Sequence, residues 1–530
     1  MVIRNSGKAR KAKTVTLVCE VVLCLALCLA ACGSQQGQAD QEDQQDQATQ
    51  KNQAELHVAT DGSDESGNGT PDEPYATISF AAESAPGSVI IVHGGEYGPV
   101  ELDAACSGTE DSPTVIRAAE GERPIIRAEE ADTADTADSG GTEQATGTDD
   151  AADRADNDTG TADTADPDAA DHPDTADHVC FSITNAHHIS IESIETEGGT
   201  HGITYESTRE AGDQPLESIA LRNCTVHGVR GIHGINVYAY NDLAPVSDLS
   251  IEGCEVYDCE CGDSESLVIN GNVDGFLIAG NTIHDNNNIG IDMIGFEGLA
   301  MHPDGDENPY EVDQAKNGIC RENVIYNISS EGNEAYYEDG EYDLCADGIY
   351  VDGGRDIEIC SNFIFNCDIG LEVATEHSPE DNELFRVTGI RVHDNVIAGC
   401  KGWTSLCFGG YDKDLGFTED CEFDHNTLVD NETQIAVQRS KNNKIHSNLL
   451  VGGETAVEFS EDCRKKDMVN DISGNAAAGV EDEESWDPGY GEMYPDRDEV
   501  ADGFRSLVKG IGSEFVPDQE MVELYEKSAE

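Results

Sequence analysis

Three segments of this sequence set carboxylates in a shared local frame. Asn286-Asn287-Asn288-Ile289-Gly290-Ile291-Asp292 aligns with Asn366-Cys367-Asp368-Ile369-Gly370-Leu371-Glu372, and between them lies Ala346-Asp347-Gly348-Ile349-Tyr350-Val351-Asp352. If these are strands, the two-residue alternation sends Asp292 and Glu372 to one face and adds further carboxylates beside them. Two chemistries follow. Asp347, Asp368, Glu372 and Asp292, on rungs about 4.8 Å apart, would share a hard cation, and calcium, which takes oxygen ligands in numbers that such a set supplies, fits it. Alternatively, Glu372 with Asp352 or Glu376 forms an acid/base pair of carboxyls. His377, Arg355 and Arg391 are candidates for holding an acidic ligand, with Arg386 and Arg439 as further cations. Against both chemistries stands a plainer one: Asp and Asn satisfy turn backbones, and 108 acidic residues make coincidences in register common.

The element that must position these groups is a repeat. Leu221-Arg-Asn-Cys224-Thr-Val226, Ile251-Glu-Gly-Cys254-Glu-Val256, Ile278-Ala-Gly-Asn281-Thr-Ile283, Cys320-Arg-Glu-Asn323-Val-Ile325 and Ile359-Cys-Ser-Asn362-Phe-Ile364 share one pattern. It continues at Asn395, Asn426, Asn448 and Asn475, in steps of 22 to 42 residues. Short strands with corner Asn and Gly, and loops of varying length between them, predict a solenoid of stacked coils. One rung cannot bury its apolar face alone. Nine stacked rungs share a core and align the corner Asn side chains into a hydrogen-bonded ladder. A leucine-rich solenoid lacks its Leu-x-x-Leu-x-Leu skeleton here. The fold class expected is therefore all-β, a right-handed parallel β-helix over 179–478.

Around that body the chain divides by composition. Arg4, Lys8, Arg10, Lys11 and Lys13 precede an apolar stretch, and Leu29-Ala30-Ala31-Cys32-Gly33-Ser34 reads as a lipobox, so 1–31 is expected to be a lipoprotein signal and Cys32 the lipidated residue. Residues 32–54 are expected to form a solvated tether, and 55–128 an N-terminal cap with the first coils, including a short helix over Ile78 to Ala85. Residues 129–178 repeat Thr-Ala-Asp triplets and read as an acidic low-complexity insertion. A C-terminal cap or tail is expected over 479–530, with a helix from Asp518 to Lys527. The formal charge of −78 excludes nucleic acid as a partner and opposes anionic lipid heads. The cysteines beyond Cys32 lack the spacing of a zinc motif and read mainly as small buried hydrophobes.

Over nearly all of 55–478 the cap and repeats resemble the family-nine pectate lyases. In that family an Ala-Asp-Gly-aromatic segment and a later Asp-Asp-Gly-aromatic-Asp segment bind calcium. Ala346-Asp347-Gly348-Ile349 and Asp368-Ile369-Gly370-Leu371-Glu372 are similar, with Ile369 and Glu372 replacing two of the family's aspartates. The resemblance implies a calcium-assisted β-elimination on an acidic polysaccharide such as pectate. The family's lysine base corresponds to Cys407, before Gly409-Gly410, so Lys413 is the replacement candidate, with Tyr411 and Glu372 as further catalytic candidates. Trp403, Phe408, Tyr411 and Phe417 cluster near one corner, which fits stacking on sugars and packing in the core equally well. The expectation is thus a monomeric protein, lipid-anchored at the extracellular face of the cell membrane or secreted, with a polysaccharide partner and Ca2+. The alternatives are a glycoside hydrolase with paired carboxylates and a non-catalytic glycan-binding surface lipoprotein.

Overall fold

The computed structural model describes residues 53–128, 178–302, 308–338, 340–410, 416–460 and 468–528. Each coil contributes a strand to three long sheets in turn, and within each sheet every neighbour is parallel. The first sheet runs from Glu55–Val58 to Asp471–Ser473 and has 13 strands; the second runs from Gly95–Tyr97 to Gly491–Tyr494 and also has 13. The third, from Val100–Leu102 to Thr455–Phe459, has 11. This is the right-handed parallel β-helix expected from the repeat.

Stacking in register is what closes the core. Ile251, Ile278, Cys320, Ile359, Val392, Phe423 and Ile445 lie opposite one another along the first sheet, and all are fully buried. At the turn into the second sheet each coil places one left-handed residue, such as Ser361 at φ 57° or Asp394 at φ 55°, and then the ladder residue. Asn281, Asn323, Asn362, Asn395, Asn426 and Asn448 each accept, at Oδ1, the backbone N–H of the ladder residue one coil before, at 2.8–3.1 Å. Their Nδ2 groups donate to carbonyls of the preceding coil. The ladder thus satisfies polar groups in a place no water reaches.

Thr77 caps the helix Ile78–Ser84, and Asp518 accepts from Met521 N at the start of the helix Gln519–Ser528. Trp486 and Tyr490 close the end of the main core beside Phe459. From Val500 on, the chain turns back over the outer face of the second sheet, where Phe504, Val508 and Tyr525 pack on Phe363, Phe365 and Val396. That explains the uninterrupted apolar runs Phe363-Ile364-Phe365 and Leu449-Leu450-Val451: both faces are covered, so alternation disappears. The thirteen cysteines among the described residues are free thiols, and all but Cys345 and Cys360 are buried.

Candidate functional site

The carboxylates gather on the outer face of the third sheet. Ile291 and Met293, Ile349 and Val351, and Leu371 and Val373 are fully buried in the core, so the residues between and beside them face outward. Asp292 pairs with Tyr350, Tyr350 with Glu372, and Glu372 with Cys407, which makes one outward column. The glycine two places before Asp292, Tyr350 and Glu372 is sterically required: a Cβ on Gly370 would lie 2.4 Å from the Ser405 carbonyl oxygen and 2.5 Å from Ile397 Cγ2. Asp347 and Asp352 stand at the two ends of the middle strand.

Loops rise around this column and bury its floor. Asp292, Asp347 and Asp352 are only 2%, 3% and 5% exposed. Asp352 Oδ1 accepts from Glu376 N at 3.1 Å, which holds the exposed Glu376 at the rim. His377 Nε2 lies 2.8 Å from Glu297 Oε1, and its ring packs on Phe385. One oxygen each of Asp292 and Asp347, the Oδ1 atoms, has no hydrogen-bond partner.

Burial dominates the electrostatics. It pushes the carboxyls of Asp292, Asp347 and Asp352 well above the usual range, helped by Glu265 and Asp352 around Asp292, Glu372 and Asp368 around Asp347, and Glu376 and Glu297 around Asp352. Burial likewise lifts Glu372 to about 7, with Glu376 adding to the rise and a hydrogen bond with Cys407 opposing it. The Tyr350 phenol, among Asp352, Glu372, Glu376 and Asp292, is held neutral. The principal charged neighbours of these five groups carry negative charge; none is a lysine or arginine.

A stability prediction follows from the sign of these shifts. A carboxyl whose folded pKa is raised binds its proton more tightly in the native state, so its contribution is present at low pH and lost as pH rises from the ordinary carboxylate range through about 7. The thermal midpoint is expected to fall between pH 5 and 8. Asp292→Asn with Asp347→Asn is expected to flatten that fall by several degrees at the alkaline end, read by differential scanning calorimetry. Equal slopes in the two proteins would mean that these aspartates are ionised at little cost.

Other candidates are placed elsewhere. Asp368 accepts from Ser329 Oγ, Ser330 N, Ser330 Oγ and Ala346 N, so its carboxylate pins the loop that leads into the middle strand. Ile369, Cys407 and Ala436 form an apolar patch under the partly exposed Trp403. Cys407 is fully buried, and burial pushes its thiol well up. Arg391 lies on the first sheet, paired through Nε and Nη2 with Asp424 at 3.1 and 3.0 Å. Arg355 stands at the corner after Asp352, against Asp356 at 3.4 Å. Lys413, Tyr411 and Cys32 lie outside the described residues, as do the expected signal and most of the acidic insertion. Sequence reasoning missed Glu265 and Glu297, which approach from loops that carry no repeat signal.

Comparison with known proteins adds a lineage to this geometry. YwoF of Bacillus subtilis (strain 168), an uncharacterized protein, is 32% identical over 422 residues, 77% of this chain and 76% of its own. The chain belongs to the YwoF family. The profile of a family described as periplasmic copper-binding protein (NosD) matches residues 307–487 of this chain. Pectate lyase PEL9 of Emericella nidulans is 30% identical over 224 residues, 41% of this chain and 46% of its own length. Among solved structures, the GH136 lacto-N-biosidase from Eubacterium ramulus superposes with a TM-score of 0.51 at 14% identity, over 82% of this chain and 69% of its own. The YwoF-family chain is accordingly a right-handed parallel β-helix protein related to family-nine pectate lyases, and the biosidase shares its fold.

Proposed function

We propose that this chain cleaves polysaccharides outside the cytoplasm as a glycoside hydrolase, with Glu372 and Glu376 as its paired carboxyls. The observation that carries the reading is a partly accessible carboxyl, Glu372, raised to about 7 beside the exposed carboxylate of Glu376. Two carboxyls with different environments are what acid/base cleavage of a glycosidic bond requires. Glu372, protonated below neutrality, delivers its proton to the leaving glycosidic oxygen. Glu376, anchored through its backbone by Asp352, offers negative charge to the anomeric carbon or to an attacking water. Neutral Tyr350, between them and Asp292, is a hydrogen-bond donor for a sugar hydroxyl. The aromatic face of Trp403 extends the cleft. The exposed carboxylate of Glu376 at the rim, with no lysine or arginine among the principal charged neighbours of the cleft carboxyls, disfavours polyuronates and so selects a neutral or cationic glycan.

A second reading is carried by the PEL9 match together with the unpartnered Oδ1 atoms of Asp292 and Asp347. Those oxygens and Glu372 fit a hard cation, although Asp368 is spent on its loop and Ile369 is apolar. Calcium bound there would neutralise a uronate carboxylate and favour β-elimination, for which Lys413 is the candidate base. The reaction's products separate the two. Hydrolysis of a neutral glycan panel is expected to release reducing ends with no ultraviolet-absorbing unsaturated product, and to survive a calcium chelator. Chelator-sensitive absorbance on uronic-acid polymers, with no turnover of neutral chains, would replace hydrolysis by elimination. Residues 1–31 as an export signal and lipidated Cys32 behind a tether to residue 54 would hold the cleft, as a monomer, at the outer face of the cell membrane, within reach of such chains.

A further inference from the structure

The first sheet carries a different set of ligating groups on its outer face. Strand Glu358–Cys360 pairs with strand Arg391–His393 so that Glu358 lies opposite Arg391 and Cys360 opposite His393. Ile359 and Val392 are fully buried between them, so Glu358, Cys360 and His393 all project outward. His393 Nε2 is 2.8 Å from Glu358 Oε1, and His393 Nδ1 is 2.9 Å from Asp394 Oδ2. The thiol, the ring nitrogen and the Glu358 oxygen fall within 4.8 Å of one another. The ring thus sits between two carboxylates, Asp394 at Nδ1 and Glu358 at Nε2, and either a proton or a metal ion between Nε2 and Glu358 completes the contact. A thiol within reach of the same point is what an ordinary histidine–carboxylate contact lacks: His446 and Glu422 repeat the 2.8 Å contact two coils on, with no cysteine among the atoms grouped there.

We propose that Glu358, Cys360 and His393 form a zinc site on the first sheet. One sulfur, one imidazole nitrogen and one carboxylate oxygen make a mixed set that suits zinc, which takes four ligands, and they leave one position for water. Asp394 orients the ring, and it is itself fixed: its Oδ1 accepts from Glu514 N at 2.8 Å and its backbone carbonyl from Ser513 Oγ at 2.7 Å. A metal-bound histidine held by a second carboxylate in this way is already in its binding orientation. Glu358 also borders a shallow depression lined by Ile319, Asp356, Gly389 and Arg391.

The highly acidic surface binds divalent ions loosely at many carboxylates, so the test reads the sulfur. The full-length protein, reduced and stripped with chelator, is titrated with cobalt(II) and then zinc. One equivalent of cobalt is expected to produce a near-ultraviolet thiolate charge-transfer band that one equivalent of zinc abolishes. Cys360→Ser is expected to remove the band, Glu358→Gln to weaken binding, and Asp394→Asn, which only frees the ring, to weaken it by roughly 10–100-fold. Cys345→Ser and His446→Ala are expected to leave it unchanged. A missing band in the folded wild-type protein, or a band that persists in Cys360→Ser, would overturn the site and leave His393 as an ion-paired imidazolium.

Discussion

Glu372→Gln is expected to leave the solenoid folded and to lower cleavage of a natural glycan by about 10²–10⁴-fold, the range that a positioned general acid contributes. Glutamine keeps the size of the side chain and can still meet the Cys407 thiol, so the strand Ile369–Ala374 has no reason to move. The loss should depend on the leaving group: an activated aryl glycoside, which needs little protonation, is expected to lose far less rate than an alkyl-linked sugar. The wild-type rate should fall above about pH 7, where Glu372 gives up its proton, and that limb should vanish from the residual activity of the variant. The measurement is kcat/KM against pH for both substrates. Equal losses on the two substrates, with the alkaline limb intact, would assign the proton to another group, and Asp352 would be the next to replace.

Asn362→Ala is expected to be the most destabilising single change in the solenoid, by roughly 2–5 kcal/mol. Its Oδ1 accepts from Asn323 N at 3.0 Å and Asn323 Nδ2 at 2.9 Å, and its Nδ2 donates to Cys320 O at 3.1 Å and Asn395 Oδ1 at 2.9 Å. All four ladder residues from Asn281 to Asn395, Asn362 included, are fully buried, so no water replaces the missing bonds. Asn475→Ala, at the ladder's end and beside the Tyr490 carbonyl, is expected to cost less. The midpoints of urea unfolding compare the two, and hydrogen exchange at Asn323 N–H locates the damage. Similar midpoints for both variants would mean that the ladder follows from stacking and adds little to it. The central position also lies between coils that carry Asp347 and Glu372, so a loosened ladder there should reduce activity before the chain unfolds.

Much of this molecule is set by its period. The apolar residue three before the ladder position and the one two after it predict the buried columns of the first and second sheets, because stacked strands repeat their side-chain directions. The Gly-Ile-Asp292 and Gly-Leu-Glu372 frames likewise determine that these carboxyls share a column, since the apolar Ile291 and Leu371 turn into the core and the strand alternation sends the next residue outward. What a residue does once it faces outward was decided elsewhere. Asp368 and Glu372 sit four residues apart in one frame, yet Ser329 and Ser330 take up the first, while the second stays partly open to the cleft. Arg391 looked like a sugar-binding cation until the fold placed it on the first sheet against Asp424. Cys360 and His393 share one position of the repeat, two before the ladder Asn, so stacking brings them together, yet neither stands in a recognisable metal-binding motif. Repeats dictate direction within a coil through local sterics. Which coils become neighbours, and which loops shield them from water, depends on insertions that have no period, so burial, charge coupling and the meeting of distant ligands belong to the tertiary structure.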